Sequence, residues 1–228
     1  MLFRSGMRTY TIERASSPPP LDDGVSGTPW EHANELAVDC FNWHDGGPKP
    51  LTTARALYDD DALYLQFDVE DPSISSRVTE LNGPTFEDSS VELFADPTPD
   101  ADSKYLNFEA NCCGVFKLGW QTEGWQERGI ECDLIPSDLA AELDVRTSEE
   151  GPTREPRPDD ERWWLAAAIP FAVLSSFTGA SIAPEGEWRA NVYRSGVASD
   201  AQKATWNPMD TPGPDYHSPE FFGRFAFA

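Results

Sequence analysis

The chain has 228 residues, 39% of them hydrophobic and 12% aromatic, enough to bury a core and too apolar for a disordered tail. It carries 17 basic against 40 acidic residues, a net charge of −23. That balance excludes nucleic acid and anionic membrane surfaces as partners, because both need phosphates neutralised by Lys and Arg.

Only four basic residues are lysines: Lys49, Lys104, Lys117 and Lys203. An acidic, lysine-poor surface suits a halophilic protein, since molar salt screens self-repulsion to within about 3 Å. The rival reading is a calcium-rich acidic site, but the acids are spread along the whole chain. "MLFRSGMRTYTIERASSPPP" has no apolar segment of signal-peptide length, and no run of about 18 apolar residues exists. Cys40, Cys112, Cys113 and Cys132 form no CxxC pair, so they are expected as reduced thiols in a cytoplasmic protein.

Strand patterns dominate in chain order. The chain is expected as one domain over 1–228, with 1–28 partly irregular. Thr52–Tyr58 and Ala62–Val69 flank "DDD" with period-two alternation, which predicts a hairpin. In Ser89–Asp96, Val91 and Leu93 fall on one face and Ser90, Glu92 and Phe94 on the other. "KYLNFEAN" and "GVFKLGW" follow as strands around "NCCG", and then "LDVRTS", "RWWLAAAIP", "EWRANVYRSG", "KATW" and "FFGRFAF". These patterns predict an all-β, antiparallel β-sandwich of about ten strands. Pro170–Phe177 and "PSDLAAEL" are its one or two short helical turns. The Pro-rich segment 148–161 reads as a long loop between strands.

Candidate chemistry is sparse. GxSxG, HExxH, Walker and GxGxxG motifs are absent, and His32, His44 and His217 stand far apart. Glu87, Asp88, Glu92 and Glu109 offer paired carboxylates of the glycosidase type, although 40 acids produce such pairs by chance. Tyr58–Asp61 and Asp68–Pro72 offer oxygen ligands for a structural calcium without EF-hand spacing. Of eight tryptophans, Trp206 ends a short strand and enters the proline-stiffened stretch "NPMDTPGPDYHSP". A ring held on such a loop is suited to stack on the flat C–H face of a sugar, with carboxylates and amides around its rim. The bland alternative is an anchor packed on the sheet edge.

Six blocks in order carry a resemblance: "ARALYDDDALYLQFDVED", "LNGPTFEDSSVELFADP", "KYLNFEANCCGVFKLGW", "AAAIPF", "EWRANVYRSG" and "DYHSPEFFGRFAF". From Trp30 to Phe227 the chain resembles the carbohydrate-binding module family 9-like proteins of the DOMON-like sandwich superfamily. The resemblance implies a sandwich that clamps a mono-, oligo- or polysaccharide between two rings, with a carboxylate, amides and an arginine on its hydroxyls. It also implies structural calcium in some members. Trp206 looks like the second ring. Phe86 stands where the first ring falls, and a tryptophan is usual there. Glu92 looks like the hydroxyl-binding carboxylate.

Strand alternation adds Asn107 and Glu109 on the next strand, and Arg189 and Asn191 in "EWRANVYR". Asp215 and His217 are expected to pin the Pro-rich loop by hydrogen bonds. The expectation is therefore non-catalytic carbohydrate binding. The alternatives are a glycoside hydrolase using Glu92 with Glu87 or Glu109, and a structural or partner-binding sandwich.

Overall fold

The computed structural model describes residues 6–99, 103–197 and 202–228. Among the described residues, thirteen strands run in chain order with three short α-helices. The strands are β1 (Thr9–Arg14), β2 (Glu35–Ala37), β3 (Thr52–Tyr58), β4 (Ala62–Glu70), β5 (Ser90–Asp96), β6 (Lys104–Asn111) and β7 (Phe116–Thr122). They continue as β8 (Asp133–Leu134), β9 (Asp144–Thr147), β10 (Arg162–Pro170), β11 (Glu187–Ser195), β12 (Ala204–Thr205) and β13 (Gly223–Phe227). The helices are α1 (Trp125–Arg128), α2 (Ser137–Ala140) and α3 (Phe171–Thr178).

The strands order as β8-β7-β6-β5-β11-β13-β1-β3-β4-β10-β9, with β12 beside β11 and β2 beside β3. Two halves of this curled sheet face each other. Val91, Leu93, Phe108, Leu118, Trp188 and Phe225 from one half meet Leu65, Phe67, Val69, Trp163 and Leu165 from the other in one core. This is the period-two alternation at work: one side of each strand is buried in the sandwich interior.

The sheet is mixed, which corrects the strictly antiparallel expectation. β1 pairs parallel with β13 through Thr9–Ile12 and parallel with β3 through Glu13–Arg14. It passes from one half to the other, closing the corner of the sandwich. Part of the segment expected as irregular is therefore a strand, and the next stretch is packed too. Trp30 is buried and its indole N–H donates to the Pro20 carbonyl at 2.8 Å.

The 148–161 connection, a long loop between strands as its sequence suggests, is anchored at its centre. Arg154 pairs across a bridge with Ser76, and its guanidinium binds Glu149 at 2.7 Å and Asp160.

The hairpin β3–β4 turns at the acidic tip as the sequence suggests. Asp59 Oδ1 accepts the Asp61 and Ala62 amides at 2.9 Å, and Oδ2 accepts the Tyr64 hydroxyl. No disulfide joins the four cysteines. Among the described residues, no helix is long and apolar enough to cross a membrane.

Candidate functional site

The outer face of β7, β6, β5 and β11 is where most of the expected polar residues converge. Cross-strand register arranges them in rows. One row runs Lys117, Glu109, Glu92, Tyr193. The next runs Gly119, Asn107, Phe94, Asn191. Gln121 and Tyr105 are paired in a third. Glu92, Glu109, Asn107 and Gln121 are all buried.

Burial alone would make two facing carboxylates unfavourable, so their partners matter. The Glu92 carboxyl is pushed well above its usual range by burial first and then by the Glu109 charge. Lys203, the Ser195 hydroxyl and Lys117 act against that rise. Ser195 Oγ donates to Glu92 Oε1 at 3.2 Å. Glu109 is also raised by burial, with Lys117 as the largest opposing influence. Lys117 Nζ lies 3.4 Å from Glu109 Oε1, and Thr85 Oγ1 donates to Glu109 Oε2 at 3.4 Å. Two of the chain's four lysines thus act on these two glutamates.

On this face, both amide atoms of Asn107, Gln121 Nε2, Ser90 Oγ and Trp125 Nε1 make no well-formed hydrogen bond, although Asn107 acts on Glu109 and Trp125 on Tyr105 closely enough to hold down their pKa values. Buried polar groups are normally paired, so such a group calls for a ligand or water. Tyr105 ties Asn107, Gln121 and Trp125 together in space. It pairs with Gln121 across the strands, sits two residues before Asn107 on the same face, and bonds His217 Nδ1 at 2.8 Å. The Trp125 ring packs edge-on against that histidine, with centroids 5.4 Å apart.

Trp206 is elsewhere. It is 5% exposed, its ring lies against Phe225 at 5.4 Å, and a Cβ on Gly223 would come within 2.6 Å of it. The ring is therefore buried inside the sandwich, and the stacking role expected of Trp206 is corrected to a core role. Phe86 is 47% exposed on the turn beside Thr85, which bonds Glu109.

Asn191 and Arg189 are committed to the loop. Asn191 Oδ1 accepts the Asn207 amide at 2.8 Å and its Nδ2 donates to the Asn207 carbonyl at 3.1 Å. Arg189 donates to the Pro219 carbonyl and lies over the Phe222 ring. It stands four residues, about 13 Å of strand, from the Tyr193 row.

The Pro-rich loop is thus held by residues expected to bind sugar. Asp215 Oδ1 accepts the His217 amide at 3.1 Å, a local contact. His217 reaches Tyr105, and burial lowers its pKa from 6.5 to about 4, keeping the ring neutral.

Lys117, Lys203, Gln121 and Trp125 were not singled out from sequence as site residues. Lys117 and Gln121 alternate on β7, so their face was readable once β6–β7 pairing is known. Lys203 and Trp125 lie outside the long strands and carry no such signal.

Most carboxylates of the acidic runs already have partners. Asp60 pairs with Arg14, Asp68 with Arg162 and Asp71 with Arg194, while Asp59 is filled by N–H and O–H donors. Among the described residues, no group of three or more His, Cys, Asp or Glu is placed to hold a metal ion.

The sequence model of Carbohydrate-binding family 9 matches residues 29–227. The chain belongs to this family. A protein from Bacteroides uniformis ATCC 8492, named for an expected carbohydrate-binding role, superposes with a TM-score of 0.83 at 23% identity over 98% of this chain and 100% of its own. A family 9 carbohydrate-binding module from Caldicellulosiruptor kristjanssonii, solved with cellotriose, gives a TM-score of 0.61 at 17% identity, covering 96% and 93%. The same organism's module solved with glucose gives 0.60 at 18%, covering 96% and 95%. At these identities the likeness is one of fold. No curated protein matches the chain.

Proposed function

We propose that this chain binds a neutral saccharide without transforming it, on the outer face of β5, β6 and β7. The observation that carries this reading is the set of buried polar atoms on Asn107, Gln121 and Trp125 that make no well-formed hydrogen bond, beside the Glu92–Glu109 pair. Sugar hydroxyls both donate and accept, so one ring can answer amide donors, an amide acceptor and carboxylates together. Family membership and the glucose and cellotriose complexes of the related modules support the same ligand class.

Phe86 and Trp125 are the two rings of this reading. Phe86 adjoins the Glu109 row through Thr85, and Trp125 adjoins the Tyr105 row through His217. Asn107 lies between these rows. Trp125 opens α1, which is a single turn bounded by Gly124 at φ 67° and Gly129 at φ 61°. Left-handed glycines at both ends let this turn reposition its ring at low backbone cost.

The hydrolase alternative uses the facing Glu92–Glu109 pair, since glycosidases place two carboxylates about the scissile bond. Here both acids are buried and bonded to neighbouring side chains. Calorimetry with glucose, cellobiose and cellotriose, run beside chromogenic glycosides, tests the reading. Heat of binding with no product release is the expected result. Product release would establish an enzyme, and no heat with any of the sugars would overturn the reading.

The salt-adapted, cytoplasmic character is proposed on the same footing. The support for salt adaptation is 40 acids against four lysines, and for the cytoplasm four cysteines without a disulfide.

A further inference from the structure

Cys112 and Cys113 occupy the two central positions of the turn between β6 and β7. The Gly114 amide donates to the Asn111 carbonyl at 2.9 Å, which closes the turn around them. Asn111 Oδ1 accepts the Cys113 amide at 3.2 Å and the Val115 amide at 3.0 Å, and its Nδ2 donates to Asp88 at 2.9 Å. The Cys112 carbonyl accepts the Thr147 hydroxyl at 2.6 Å. Two neighbouring thiols are thus carried on a backbone fixed from several sides.

The pair is asymmetric. Cys112 is buried, with its sulfur 3.6 Å from the Ser75 carbonyl, whereas Cys113 is half-buried. Gly151 lies over the Cys113 sulfur, where a Cβ would come within 3.0 Å, so the covering segment brings no side chain there. The Cys112 S–H stabilises the Cys113 thiolate and, against burial, brings that thiol down from 9.0 to about 7. The Ser76 hydroxyl acts in the same direction, and Glu149 and Asp88 oppose it. Ser76 Oγ is itself buried and makes no well-formed hydrogen bond, so its proton is available to the sulfur. Cys112 moves the other way, raised by its contact with Cys113 and then by burial. Cys40 and Cys132 are each raised to about 11 by burial. One thiolate-forming sulfur therefore stands beside one thiol, in a chain whose other cysteines stay protonated.

We propose that Cys112 and Cys113 form a peroxide-reactive dithiol, with Cys113 as the attacking sulfur and Cys112 as the resolving one. The Cys113 thiolate attacks a hydroperoxide: the S–O bond forms, the O–O bond breaks, and the departing oxygen takes a proton from solvent to leave as water or an alcohol. The Cys112 sulfur then attacks the resulting sulfenic acid. The S–S bond forms, the S–O bond breaks, and hydroxide leaves with the Cys112 proton as water. The two thiols give up two electrons and the peroxide accepts them. Neighbouring Cα atoms are about 3.8 Å apart, below the usual disulfide span of about 4.4–6.8 Å, so a thiol reductant reverses the bond readily. This modification site goes beyond the saccharide reading and does not depend on it.

Peptide mass analysis of the full chain, treated with hydrogen peroxide at about pH 7 and then alkylated, decides it. Trypsin cleavage after Lys104 and Lys117 isolates Cys112 and Cys113 from the other cysteines. The expected peptide is lighter by two hydrogens, resists alkylation and is restored by dithiothreitol. It should form at least about tenfold faster than Cys40 or Cys132 is oxidised. In Cys112→Ala the reaction should stop at a Cys113 sulfenic acid that dimedone traps, and the wild-type result stands without that variant. An unmodified peptide, one that gains oxygen without losing the two hydrogens, or oxidation of Cys40 or Cys132 at an equal rate overturns the proposal.

Discussion

Glu92 and Glu109 stand directly opposite each other on neighbouring strands, both almost completely out of water. Directly opposed Cβ atoms are about 4.5–5.5 Å apart, where like charges oppose folding. Both carboxyls are raised above the usual value of 4.5. A group whose pKa is raised on folding contributes stability at low pH and loses it as pH climbs through the raised value.

Glu92→Gln removes that loss. Urea unfolding at about pH 5 and about pH 8 should show the variant losing less stability between the two than wild type. His217 works in the opposite sense. Its pKa falls from 6.5 to about 4, so its contribution is present above 6.5 and is lost as pH drops toward 4. His217→Gln should flatten that acid limb. An unchanged acid limb would show that the ring is not held neutral by burial.

Trp206→Ala should act as a core deletion, costing about 3–5 kcal/mol in chemical unfolding. Gly223→Ala should destabilise by the same contact, because its new methyl would meet Trp206 at 2.6 Å and the Arg8 carbonyl at 2.7 Å. A Trp206→Ala protein of wild-type stability would contradict the core placement.

Removing the loop clasp has a different signature. Asn191→Ala leaves the Asn207 amide without its side-chain partner, while the Asn207 carbonyl keeps the Thr205 hydroxyl, and should cost about 1–3 kcal/mol. Glucose affinity measured on the folded variant should change little, because Asn191 does not reach the Glu92 carboxyl. A large loss of affinity at retained stability would return Asn191 to the binding surface.

Salt gives a further check. With a net charge of −23, raising KCl from about 0.1 M to about 1 M should raise the thermal unfolding midpoint, since screening contracts from about 10 Å to about 3 Å. A falling midpoint would argue against adaptation to salt.

Much of the site's floor was legible from alternation. Glu92, Asn107 and Glu109 share a face because strands alternate with period two, and pairing sets them side by side. Arg189 and Asn191 obey the same rule, yet the loop returning over β11 takes them up, and that loop's path is not encoded in strand period. Trp206 misled for a related reason. β12 is two residues long, so period carries no information about which face its neighbour occupies. The parallel pairing of β1 was hidden as well, because six residues of alternation say nothing about strand direction. Trp125 was illegible because it sits on a single helical turn, where neither period applies.

The central claim is that the saccharide lies on the β5–β7 face with Trp125 as one of its rings. Calorimetric titration of wild type, Trp125→Ala and Trp206→Phe with glucose tests it most directly. Loss of binding in Trp125→Ala with wild-type affinity kept by Trp206→Phe is the predicted result. Full binding by Trp125→Ala would contradict the account.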